Sequence, residues 1–342
     1  MNQDWQAFLA QQDAIIENGK TIGFGSSHLA STDTQATWLC DLSSFGLIHF
    51  IGEDTATFLQ GQLSSDIKKI SETDCVYSAQ STPKGRVLAN FRIWRQADGY
   101  MLQLPSTLVP TIQKRLSMYI LRAKSKASDL PSQLVCFGLV GQKAAELSNK
   151  VLGVTLAPMQ TAQVDRATCI AISTNAFMWI APVEQAQTLW DAFAKDATLA
   201  GTSQWELAEI ENGTPWVTDV TQDEFVAQML NLDKLNGGIS FTKGCYTGQE
   251  IIARTQYLGK LKRRTYRVAS TDAFTNEQQL YSEEMNGQAS GRIVNAVQTT
   301  EGWQGLAVIQ SSSIDKPLHI GDLNGATVTV KEPPYSLENE TA

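Results

Sequence analysis

The sequence predicts an α+β protein with mixed or antiparallel sheets, and three observations carry that reading. Strands and helices alternate along the first part of the chain, but the strand pairs are joined by hairpin turns rather than helical crossovers. Beyond Gly259 the pattern changes to short strands separated by Gly-containing turns, as in a small barrel or sandwich. The length of 342 residues exceeds the roughly 250 to 300 that one hydrophobic core usually organises, so two or three domains are expected.

Residues 1–36 are polar, with one helical candidate at 5–16. There Trp5, Phe8, Leu9, Ile15 and Ile16 partly hold a 3.6-residue period, Gln12 interrupts the apolar face, and the segment reads as peripheral. Residues 47–51 read as a short buried strand. Gly52-Glu53-Asp54 then leads into an amphipathic helix carrying Ala56, Phe58, Leu59 and Leu63. Strands at 76–80 and 86–94 flank Thr82-Pro83-Lys84-Gly85, whose Pro and Gly supply turn chemistry. Asp98-Gly99 marks a turn into a strand at 100–104, and Leu108, Ile112, Leu116 and Ile120 give 108–122 helical spacing. A smaller α+β domain opens with the run 134–141 and includes a helix at 183–197. A further helix at 204–212 stops at Gly213-Thr214-Pro215, where Gly can take a left-handed cap and Pro cannot continue the helix. The last strands predicted are 264–269, 289–297 and 305–309.

Composition excludes several classes of function. With 42% hydrophobic and 18% charged residues the chain is globular, and no stretch approaches the ~20 consecutive apolar residues of a membrane helix. Met1-Asn2-Gln3-Asp4-Trp5 shows neither a basic region nor an apolar one, so export is not indicated and a cytoplasmic location is expected. Five cysteines, at 40, 75, 136, 169 and 245, are odd in number and lack close pairs. His28, His49 and His319 stand apart from one another and from cysteine, so no metal site is expected. A net charge of −8 opposes tight non-specific nucleic-acid binding, though not a local basic face.

The segment Phe241-Thr242-Lys243-Gly244-Cys245-Tyr246-Thr247-Gly248-Gln249-Glu250 carries the most chemistry. Thr247 and Glu250 have capping-box spacing, which predicts a helix starting at Gly248 with Tyr246 and Ile251 as a hydrophobic staple. Cys245 then lies beside the positive end of the helix dipole, with Lys243 adding a second positive charge, so the thiol is a candidate nucleophile or redox group. Gly244 and Gly248 leave the backbone open to a ligand. A solvated lysine, turn glycines and a packed cysteine account for the same residues without any chemistry.

Lys243 to Glu250 resembles the signature of the YgfZ family, the folate-binding relatives of the glycine-cleavage aminomethyltransferases. The similarity continues through Phe58 to Leu63, Thr82 to Val87, Asn231-Leu232-Asp233, Gly238 to Phe241 and Pro334 to Glu338. The resemblance implies an aminomethyltransferase-like three-domain ring ending in a β-barrel. The first, folate-binding domain would comprise 38–120 with 205–260, the middle domain 121–204 and the barrel 261–342, leaving 1–37 peripheral. It also implies tetrahydrofolate or a folate derivative as ligand, and a role in iron-sulfur cluster assembly or repair and in iron-sulfur-dependent tRNA modification, with iron-sulfur enzymes as partners. Trp205 matches an aromatic position of the pterin pocket. Phe45 stands where a Trp occurs elsewhere in the family, keeping a stacking face but losing the indole donor.

Glu211, beside the Gly213 stop, is the glutamate expected to meet the pterin, while Lys243 and Cys245 complete the expected site. The true aminomethyltransferases carry two aspartates where this chain has Ala89 and Asn90, so the carboxylate their chemistry needs is missing. Two other readings stay open: a folate-dependent one-carbon transferase or redox enzyme using Cys245, and a tRNA-binding module using Lys262, Arg263 and Arg264 within the run from Lys260 to Arg267.

Overall fold

A computed structural model describes residues 1–25, 29–257, 259 and 261–338. Its contacts form two compact units. One comprises Met1–Phe58, Lys68–Val76 and Arg92–Ala208, the other Leu59–Ile67, Tyr77–Phe91 and Glu209–Ala342.

The first unit is organised by a six-stranded sheet in the order Thr161–Val164, Ala167–Ser173, Ala176–Pro182, Leu134–Gly141, Thr37–Asp41, Thr198–Ala200. Its neighbours are antiparallel except the last pair, which is parallel, so the sheet is mixed. The central strands are buried along almost their whole length, and one side packs on the helices Ala144–Leu152 and Val183–Phe193 through Phe137, Trp179, Trp190 and Phe193. A second group of antiparallel strands places Phe45–Ile51 between Gly99–Pro105 and Lys126–Ala127. The hairpin foreseen at Asp98-Gly99 joins the latter part of Val87–Gln96 to Gly99–Pro105.

The N-terminal segment is not peripheral. Its helix, Gln3–Gln11, buries Trp5, Phe8 and Leu9 in the same core, and the Trp5 ring stacks on Phe8 and meets Trp190 edge-on at 5.4 Å. The helix stops short of 16 because Asp13 takes a left-handed backbone, φ 61°, and Ile15 and Ile16 pass into the hairpin Ala14–Glu17 and Lys20–Phe24. The Trp5 indole N–H donates to the fully buried Asp41 carboxylate at 2.8 Å, beside hydroxyl donors from Thr21 and Ser43. Burial nevertheless raises the Asp41 pKa, so each donor matters to the charged form. Trp5→Phe keeps the ring packing and removes one charge-assisted donor. It is expected to cost about 2 kcal/mol in urea-induced unfolding, and a loss below about 0.5 kcal/mol would show that the indole contributes packing alone.

The second unit contains a closed six-stranded barrel in the order Arg263–Ser270, Gly302–Gln310, Ala289–Thr299, Gln279–Tyr281, Leu318–Ile320, Thr327–Lys331. It closes on itself through the pairing of the first and last strands, around Val268, Leu280, Ile293, Ala307, Leu318 and Val328. The three shortest strands carry too little periodic apolar signal to be read from sequence. The helix expected at 108–122 runs only over Val109–Met118, because the chain leaves the helix at Tyr119 and Leu121 adopts φ 49°. No described helix is long and apolar enough to cross a membrane.

Candidate functional site

The signature loop belongs to the second unit, and two glycines explain how the chain holds it. Gly248, φ 84°, sits where a Cβ would lie 2.7 Å from the Thr82 carbonyl oxygen and 3.0 Å from Ser81 Cβ. Gly85, φ 73°, sits where a Cβ would lie 2.7 Å from Ile251 Cβ. Only glycine permits both the left-handed backbone and the contact, so the turn after Ser81 is locked against the first turn of the helix Gln249–Tyr257. Gly248 thus serves internal packing rather than ligand approach, whereas a Cβ on Gly244 would meet nothing within 4 Å.

The helix begins one residue later than its capping-box spacing predicts. Thr247 and Glu250 exchange no hydrogen bonds. Instead the Tyr246 N–H donates to Gln249 Oε1 at 3.3 Å and the Thr247 N–H to the Gly61 carbonyl at 3.3 Å. Gly248 takes a left-handed backbone just before the helix, and Gln249 supplies the side-chain contact there.

Lys243 is buried, with 7% of its surface exposed, and its ammonium is fully engaged. Nζ donates to the carbonyls of Leu63 at 2.7 Å and Ser65 at 2.6 Å, and lies 4.8 Å from the Tyr246 ring centroid in a cation–π contact. Burial lowers its pKa to about 8, with the Asp66 charge opposing, so the ammonium still predominates at pH 7. A side chain with its donors so occupied clamps the loop onto residues 63–65. Tyr246 is buried beside it, its phenol raised to about 12 by desolvation. Cys245, between them, points outward and is exposed, whereas Cys40, Cys75, Cys136 and Cys169 are buried.

Asn90, read from sequence only as a missing aspartate, has a definite task. Wholly buried, it donates from Nδ2 to the Pro215 carbonyl at 2.8 Å and accepts the Val217 N–H on Oδ1 at 2.8 Å. The amide therefore pairs with the 215–217 segment as a neighbouring strand would, using a donor and an acceptor that a carboxylate cannot both supply. Ala89 is buried as well. No sequence signal distinguished this clamp from a lost catalytic group.

Glu211 ends the helix Thr202–Glu211 and is exposed, yet partial desolvation raises its pKa against the opposing charge of Arg267. Trp205 lies on the same helix but in the first unit, only 1% exposed. Six residues separate the two, which places them on different sides of the helix. The Trp205 ring packs so closely over Gly138 that a Cβ there would approach it to 2.4 Å, and its buried indole N–H has no acceptor among the described residues. Phe45, at the start of Phe45–Ile51, lines a cavity of about 450 Å³ together with Leu47, Val109, Pro110, Leu134 and Cys136. Trp205 is not among that cavity's walls.

The basic run also divides. Arg264 is buried, donating to both carboxylate oxygens of Asp233, one of them at 2.8 Å, and to the Gln228 carbonyl at 3.0 Å. It is therefore a structural ion-pair partner and unavailable to RNA. Lys262 and Arg263 are exposed, and Lys260 lies outside the described residues. Among the described residues no group of three or more His, Cys, Asp or Glu side chains is placed to hold a metal ion.

A family model described as the GCVT N-terminal domain matches residues 28–233. A "tRNA-modifying protein YgfZ" of Colwellia psychrerythraea is 32% identical over 314 residues, covering 88% of this chain and 94% of that one. The protein of the same name from Yersinia pseudotuberculosis is 29% identical over 310 residues, covering 88% and 93%. Among solved structures, the glycine cleavage system aminomethyltransferase T from Bartonella henselae superposes with a TM-score of 0.71 over 96% of both chains. At 14% identity that likeness establishes the fold.

Proposed function

This chain belongs to the YgfZ family of GCVT-domain proteins, and we propose that it supports tRNA modification as a tetrahydrofolate-binding accessory protein for iron-sulfur enzymes. The observation that carries the folate reading is the Phe45-lined cavity, whose volume of about 450 Å³ falls within the ~300 to 1,000 Å³ of small-molecule sites. Its walls suit a reduced pterin: the Phe45 ring with aliphatic side chains around it, and the Ser106 hydroxyl as a polar group for the ring's hydrogen-bonding edge. When bound, tetrahydrofolate would supply one-carbon chemistry.

Within the signature loop, Lys243 positions and Cys245 faces outward, which leaves the Cys245 thiol open to a partner enzyme. Asn90 argues against aminomethyl transfer, because its amide is wholly occupied with backbone and offers neither a base nor a counter-charge.

Titrating tetrahydrofolate while recording tryptophan fluorescence tests the folate reading. A saturable change is expected for the wild type, and Phe45→Ala is expected to weaken binding about tenfold by removing the stacking face. No saturation up to about millimolar ligand, where binding is worth only ~4 kcal/mol, would overturn it.

A further inference from the structure

A second surface, in the first unit, joins positive charge to exposed apolar side chains. Between Asp98 and Asp129 the sequence contains no carboxylate, yet it carries Lys114, Arg115, Arg122, Lys124 and Lys126 in a chain of net charge −8. At the end of the helix Val109–Met118, Met118 is 60% exposed, Tyr119 45% and Leu121 87%. Cations at a helix C-terminus are ordinary. Three large apolar side chains held in water beside them are not.

The tip is built rather than left over. Tyr119 N–H donates to Leu116 O and Ala123 N–H to Ile120 O, both at 2.9 Å. Lys124 N–H donates to Asp54 Oδ2 at 2.8 Å, and its carbonyl accepts from the Asp54 N–H at 3.2 Å. Gly52 allows this approach, since a Cβ there would meet the Lys124 oxygen at 2.2 Å. Leu121 is therefore presented to solvent from a left-handed backbone, φ 49°, on a tethered loop. Lys124 is neutralised by Glu53 at 2.8 Å, while Lys114, Arg115, Arg122 and Lys126 form no ion pair among the described residues.

Beside the tip, Pro110, Thr111, Lys114, Arg115 and Met118 line a hollow of about 390 Å³. The Arg115 guanidinium lies 5.8 Å from the Tyr119 ring centroid, and its buried Nε has no hydrogen-bond partner among the described residues. We propose that this tip is an RNA-docking surface that takes an unpaired nucleotide of tRNA, its base stacked on the Tyr119–Arg115 platform and its phosphates met by Lys114, Arg122 and Lys126. Unpaired loop bases are what aromatic and guanidinium planes recognise in RNA, and the flanking Met118 and Leu121 suit the apolar base faces. A lipid partner fits less well, because acyl chains would leave the Thr111, Lys114 and Arg115 groups of the hollow unsatisfied. The inference rests on the tRNA role proposed above.

Fluorescent tRNA transcript binding, measured from about 50 to about 200 mM salt, tests it. Lys114→Ala with Arg122→Ala and Lys126→Ala is expected to reduce the slope of log affinity against log salt by about 2. Tyr119→Ala is expected to weaken binding about tenfold with that slope unchanged. Lys150→Ala with Lys195→Ala, exposed cations elsewhere in the unit, should change neither, and thermal unfolding of every variant should match the wild type. If tip variants bind as the wild type does while Lys262→Glu with Arg263→Glu abolishes binding, the tip is overturned and the tRNA role stands. If the wild type itself shows no salt-dependent binding, both fall. Loss of binding to anionic phosphatidylserine vesicles with tRNA binding unchanged would assign the tip to membranes and overturn the proposal.

Discussion

Asn90→Asp is expected to destabilise the protein by about 4 kcal/mol at neutral pH, although it changes one atom of the side chain. The Pro215 carbonyl loses its donor at a wholly buried position, and a carboxylate oxygen is left facing that carbonyl with no positive partner in the clamp. The Val217 N–H can still donate to the other oxygen. Burial holds the new carboxyl's folded pKa above its unfolded value of about 3.9, so its proton is bound more tightly in the folded state. Relative to the wild type, the deficit is fully present above the folded pKa and disappears as pH falls below the unfolded one. Urea unfolding at several pH values checks this. A difference under about 1 kcal/mol at pH 7, or one that grows on acidification, would show that the amide is not the clamp described. The variant is also expected to gain no aminomethyl transfer, because a carboxylate installed there faces the 215–217 backbone.

Lys243→Met is expected to cost about 3 kcal/mol, since the thioether fills similar volume but leaves the Leu63 and Ser65 carbonyls without their charged donor and removes the contact with Tyr246. The pH dependence carries the distinguishing sign. In the folded wild type the ammonium titrates at about 8 against an ordinary 10.5, so the unfolded chain binds more protons between those values. Lys243 therefore contributes a rise in stability as pH increases through that window, and the methionine variant should lack it. Iodoacetamide labelling of Cys245 gives a second readout, because a loop released from residues 63–65 should change the exposed thiol's reaction rate severalfold. Unchanged stability with unchanged labelling would remove the positioning role.

These two positions show where sequence reasoning succeeds and where it stops. The signature from Lys243 to Glu250 was legible as a resemblance over eight adjacent residues and as a helix start, whereas the burial of Lys243 was not. The barrel strands Arg263–Ser270, Ala289–Thr299 and Gly302–Gln310 were legible because they are the longer strand-forming runs between Gly-containing turns. The burial of Trp5 was not. A nine-residue helix with two polar faces looks solvated until the strand ending at Asp41 brings a carboxylate to its indole.

Local order along the chain settled the α+β class, the hairpins and the signature, because these depend on neighbours a few residues apart and on the side chains themselves. Partnership required the folded molecule. Lys243 clamps carbonyls about 180 positions away, Asn90 pairs with backbone more than a hundred residues on, and Arg264 is withdrawn from any RNA face by Asp233. A polar side chain in a sequence announces that it needs a donor or an acceptor, but only packing decides which one it finds and whether water remains to compete.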